Sequence, residues 1–151
     1  LNCVEIEPWI LDREHWICHH PIEFMPGVSE TLPLLHAKNQ LIVVTEGRTD
    51  EQLGKLCRSG LEKYFHATEV VFEKHVETYR NLMQKYGLAG DTTWMIGNSP
   101  RSDINPAKAA GLSTVFIPYH SSWQHEIEEI SLNGAETLVL ANFGELALHF
   151  V

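Results

Sequence analysis

From Pro26 onward the chain alternates short, continuous apolar runs with stretches whose apolar residues recur at helical spacing. Runs that are apolar on both faces are what parallel strands covered by helices require. Their alternation with helices predicts a parallel α/β sheet. Residues 41–44, 69–72, 93–96, 113–117 and 136–140 read as the strands. Between them, Ser29 is placed to cap a helix reaching about Lys38 through Leu32, Leu34 and Leu35. Thr49 or Asp50 is placed to cap a second helix, through Leu53 and Leu56, that stops at Gly60. Further helices are expected over residues 77–86, stopped by Gly87, and 106–110, stopped by Gly111, with Asn142 capping a terminal one. The expected fold is a Rossmann-like, three-layer α/β/α arrangement with a mainly parallel sheet.

The first 25 residues break this rhythm. Pro8, Trp9, Trp16 and the pair His19-His20 show no period, so residues 1–25 are read as an atypical segment preceding a core domain over 26–151. The 151 residues suffice for one such core and fall short of two. The chain opens on Leu1 rather than Met, which leads us to expect a piece cut from a longer protein.

Composition narrows the partners. A formal charge of −9 argues against nucleic-acid phosphates and anionic membranes, which need clustered Lys and Arg. No apolar run is long enough to span a bilayer, and no signal peptide is recognisable. Cys3, Cys18 and Cys57 are few and irregularly spaced, which suits reduced thiols in a cytoplasm.

Ligands of open α/β sheets bind beyond the carboxyl ends of the strands, and the polar residues there are informative. One strand ends in Thr45-Glu46-Gly47, the next in Glu73-Lys74, and a third in Gly97-Asn98-Ser99 with Ser102-Asp103 just after. A hydroxyl and backbone N–H groups can bind phosphoryl oxygens, an ammonium can offset their charge, and a carboxylate can hold Mg2+. Taken singly, these residues have blander readings: Thr45 as a turn former, Lys74 as a solvated edge residue, Asp103 as the cap of the helix that follows.

In combination and in this order, they resemble the haloacid dehalogenase-like (HAD) hydrolases. The stretch from Pro26 to Leu32, followed by the strand ending at Thr45, is similar to the approach to that family's second motif. Glu73-Lys74-His75-Val76-Glu77-Thr78-Tyr79-Arg80 resembles the third, and the segment from Gly97 to Pro106 the fourth. Ile117-Pro118-Tyr119-His120 with Trp123, His125 and Glu126 resembles one subgroup of general hydrolases. The resemblance implies that Thr45 binds the transferring phosphoryl group, and that Lys74 neutralises it and orients the nucleophile. It also implies a phosphate-side role for Gly47, Asn98 and Ser99, Asp103 on the Mg2+ side, and a small phosphorylated molecule or other anion as ligand.

The family's first motif, an Asp-x-Asp-x-Thr closing the central strand, has no recognisable copy, and without its first Asp no covalent aspartyl intermediate forms. The 25 residues before Pro26 are too few for both that strand and a cap domain. They are read either as the end of a cap or as a substitute strand. In the second case residues 4–11 fill the central slot, Asp12 takes the nucleophile and metal position, and Glu14 lies near the acid/base position. Pro8 opposes this, because it removes a ladder donor, and Trp16 stands where the family has Thr. His15 and His19 lie one helical turn apart near Cys18 and His20, but no carboxylate or Cys pair completes a metal pattern.

The function expected is therefore that of a HAD-like core that binds phosphate or another anion but lacks a competent nucleophile, hence inactive or degenerate. One alternative is a small Mg2+-dependent phosphatase using Asp12. The other is a truncated or partner-dependent structural module. A homo-oligomer is expected, since an incomplete sheet exposes edges.

Overall fold

The computed structural model describes residues 22–119 and 129–151. The substitute strand at 4–11, Asp12, Glu14, Trp16 and the histidines at 15, 19 and 20 lie outside the described residues, as do His120, Trp123, His125 and Glu126. The elements run α1 (Val28–Lys38), β1 (Ile42–Glu46), α2 (Thr49–Ser59), a 3₁₀ turn (Glu62–Tyr64), β2 (Ala67–Val71) and α3 (Val76–Tyr86). There follow β3 (Trp94–Gly97), a π-helical turn (Pro100–Ile104), α4 (Asn105–Ala110), β4 (Ser113–Phe116) and β5 (Thr137–Val139). A second 3₁₀ turn (Phe143–Leu146) leads into α5 (Ala147–Phe150).

Every described strand pairing is parallel: β1 with β2, β3 with β4, and β4 with β5. Alternate residues of β3 face opposite ways, as the pleat requires. Trp94 and Ile96 pack with Leu35 of α1, Val115, Ile117, Leu140 and Leu146. Met95 turns to the other side and packs with Tyr79 of α3, Ala107 of α4 and Leu112. Two cores on opposite faces of one sheet give the three-layer α/β/α arrangement.

The described strands form two sheets, β1-β2 and β3-β4-β5. A cavity of about 530 Å³ lies between them. It is lined by Ile42 and Val44 of β1, by Trp94, Met95 and Ile96 of β3, and by residues of α1 and α3. Three consecutive β3 residues can line one cavity only if it runs along the strand's edge, because a face presents every second residue. The cavity thus follows the edge of β3 that has no strand partner among the described residues, and it reaches into both helix layers.

Three details differ from the sequence reading. The cap of α1 is Gly27 rather than Ser29, because Thr31 N–H already reaches Gly27 O at 3.0 Å. Arg48, not Thr49 or Asp50, caps α2; Asp50 sits in the first turn and its carboxylate accepts from the Arg48 guanidinium at 2.9 Å. That contact holds the Asp50 carboxyl below the usual carboxylate range. β2 ends at Val71, the partner of the last β1 residue, and Phe72 beyond it is fully exposed. Among the described residues no helix is long and apolar enough to cross a membrane.

Candidate functional site at the strand ends

The carboxyl ends of β1, β2 and β3 carry the sequence-predicted residues, and the structure brings Lys74 and Asp103 together. Lys74 Nζ donates to Asp103 Oδ1 at 2.7 Å, with side-chain exposures of 14% and 6%. The other carboxylate oxygen, Oδ2, accepts from the backbone N–H groups of Asn98 and Ser99, each at 3.1 Å. Asp103 therefore does not cap the helix after it. It folds back from the π-helical turn onto the loop leaving β3, and a π turn is a common way of aiming a side chain at a site. The turn itself is pinned by Ser99, whose Oγ accepts from Ser102 N at 3.0 Å. Gly97 makes the close packing feasible, since a Cβ there would collide with the Asp103 side chain.

Lys74 is fixed at both ends. Its backbone N–H donates to Glu46 Oε1 at 2.6 Å, tying the loop after β2 to the end of β1. An ammonium has three donors, and the bond to Asp103 uses one. Lys74 lines an open cavity of about 480 Å³ together with Glu46, Glu73, His75, Arg101 and Ser102. The remaining donors can serve an anion entering there. His75 also starts α3, its Nδ1 accepting from Thr78 N at 3.1 Å.

Thr45 ends β1 beside Glu46, and its hydroxyl donates to Gln52 Oε1 of α2 at 3.1 Å. Neither Thr45 nor Asp103 lines the 480 Å³ cavity. Behind the site, the buried Tyr79 donates from its hydroxyl to Ser102 O at 2.9 Å. Burial, and then the nearby charges of Asp103 and Glu46, push its phenol well above the ordinary tyrosine range. Glu46 and Tyr79 stood in segments noted from sequence but were given no role there, and Gln52 was not noted. Their roles depend on partners on other elements, and no local spacing signals them.

This arrangement of anion-handling groups at the strand ends of a parallel α/β sheet has a close parallel in known proteins. Residues 6–117 match the family model of the haloacid dehalogenase-like hydrolases. The chain belongs to that family. Among HAD relatives it is similar to two proteins named glyceraldehyde 3-phosphate phosphatase. One, from Methanothermobacter thermautotrophicus, is 27% identical over 86% of this chain and 62% of its own length. The other, from Methanocaldococcus jannaschii, is 31% identical over 76% of this chain and 54% of its own. A solved HAD-like hydrolase from Xanthomonas campestris superposes with a TM-score of 0.81 at 26% identity, covering 93% of this chain and 59% of that one. The chain thus spans between 54% and 62% of the length of these HAD proteins.

Proposed function

We propose that the corner formed by Lys74, Asp103 and Thr45 receives the phosphoryl group of a small phosphorylated molecule, and that the chain is the phosphoryl-handling part of a phosphatase. The observation that carries this reading is the Lys74–Asp103 contact, with Asn98 and Ser99 N–H groups on the second carboxylate oxygen. The contact holds an ammonium on the wall of an open cavity. The phosphatase names of the two archaeal relatives support the same reaction class.

The covalent step needs a further carboxylate. Glu46 accepts from the Lys74 backbone N–H through one oxygen and Asp103 accepts from the Lys74 ammonium, and we assign both to positioning Lys74 rather than to attack on phosphorus. Within this chain, Asp12 is the candidate. If residues 4–11 pair between β1 and β3, Asp12 leaves the sheet beside Thr45 and Gly97. Its carboxylate oxygen then bonds to phosphorus as the alkoxide leaving group departs, Glu14 supplies the leaving group's proton, and water later cleaves the aspartyl phosphate. Lys74 offsets the charge on the phosphoryl oxygens throughout.

The family resemblance brings Mg2+, and the described residues do not by themselves make its site. No group of three or more His, Cys, Asp or Glu among them could hold a metal ion. Asp103 is a single carboxylate whose two oxygens are already engaged. Asp12 would be the second.

The occupied carboxylates favour a second reading, in which the corner binds anions without turning them over. Hydrolysis of para-nitrophenyl phosphate separates the two. With Mg2+ present, the intact chain is expected to turn over, and Asp12→Asn to lower kcat by a factor on the order of 10³ or more. A chain silent with and without the substitution points to the binding-only reading. Turnover indifferent to Asp12→Asn removes Asp12 as nucleophile. We propose a cytoplasmic location and, in the binding-only reading, where residues 4–11 leave the edges of β1 and β3 unfilled, a self-associating chain.

A further inference from the structure

Thr45 and Gln52 carry an inference that deepens the reading of Thr45 as a phosphoryl-binding group and rests on it. A hydroxyl has one proton and donates one hydrogen bond. In the structure that bond runs from Thr45 Oγ1 to Gln52 Oε1 at 3.1 Å, so the proton that an incoming phosphoryl oxygen would need is turned toward α2. The loop between the two residues is shaped for this contact. Gly47 adopts a φ of 132°, a region that favours glycine, and a Cβ there would come within 2.9 Å of Gln52 Nε2. The bare backbone at Gly47 lets the amide fold back over the loop onto the end of β1. A primary amide suits the position because it presents an acceptor and two donors from one carbon.

We propose that Gln52 is a positioning residue that sets the direction of the Thr45 hydroxyl proton. In the arrangement seen here, the amide oxygen holds that proton. When an oxyanion reaches Thr45, the amide turns over, Nε2 donates to Thr45 Oγ1, and the hydroxyl donates to the anion. The proton stays on Oγ1 and only hydrogen bonds are exchanged. Gln52 acts on the anion through Thr45 and does not touch it.

The test is the affinity of the intact chain for inorganic phosphate, by calorimetry, in a cycle of Gln52→Leu, Thr45→Val and the double variant. Gln52→Leu removes one bond to Thr45 in each state, and the bond made while the hydroxyl donates to an anion is the stronger of the two, so binding is expected to weaken, by roughly threefold. In the Thr45→Val background the same change is expected to have no further effect, because the hydroxyl it directs is gone. Gln52→Glu keeps the shape but only accepts when ionised. It should lock the proton away and weaken binding more than Gln52→Leu does. Equal urea midpoints establish that the variants are folded, and the leucine cycle decides the matter should the glutamate variant unfold. A Gln52→Leu loss that persists without the Thr45 hydroxyl, or no loss in any Gln52 variant, overturns the proposal and leaves the phosphate site standing. No phosphate binding by the unaltered chain overturns both.

Discussion

Lys74 and Asp103 are 29 positions apart in the chain and meet at 2.7 Å. Their meeting was legible because a lysine just after one strand and an acid just after the Gly-Asn-Ser end of another converge at one edge of a parallel sheet. The residues that hold them in place were not legible. Glu46 reaches the Lys74 backbone across 28 positions, and Tyr79 reaches Ser102 across 23; such pairings exist only once the sheet is assembled. Tyr79 gives a prediction at this scale. Its phenol is held neutral in the fold by burial and by the charges of Asp103 and Glu46, whereas in the unfolded chain it ionises near the ordinary tyrosine value of about 10. Above about pH 10 the folded state binds more protons than the unfolded one, so stability falls as pH rises. The contribution is intact below about pH 10 and lost above it. Urea unfolding of Tyr79→Phe should show a shallower alkaline decline than the parent, with a loss of about 1 kcal/mol at neutral pH from the missing bond to Ser102 O. Identical alkaline slopes would contradict this.

At the scale of elements, the five described strands and the main helices follow from continuous apolar runs and glycine stops, because burial on both faces leaves little choice of residue type. Boundaries were less legible. An apolar run says where a strand can exist and not where its partner ends, so Phe72 was read into β2 yet lies beyond it. The caps of α1 and α2 were misplaced because neither makes a side-chain cap bond. The π-helical turn at Pro100–Ile104 carries no sequence signature, and it is the element that aims Asp103. Packing of α1 is the firmest inference at this level. Leu35 is 3% exposed and joins Val115, Ile117, Leu140 and Leu146. Leu35→Ala is expected to cost roughly 2–5 kcal/mol in urea unfolding, and a cost below about 1 kcal/mol would mean that α1 does not seal this face.

At the scale of the whole molecule, the need for a strand between those ending at Thr45 and Gly97 could be argued from sequence, since two unpaired ladders are costly to bury. The structure gives that argument a place: the cavity between β1 and β3. Whether residues 4–11 enter it was not legible, because they combine an apolar run with Pro8. If they do, Ile10→Asp would put a charge into an apolar slot. It should lower stability by more than about 2 kcal/mol and abolish any para-nitrophenyl phosphate turnover; an unchanged urea midpoint would remove residues 4–11 from the slot. The measurement that bears most directly on the function proposed here is the affinity for inorganic phosphate of the intact chain and of its Lys74→Met variant, each first shown to be folded. Binding by the intact chain that weakens at least about tenfold on loss of the ammonium is the expected result. Equal affinities in the two proteins, or no binding in either, would mean that the Lys74–Asp103 corner does not receive phosphoryl groups.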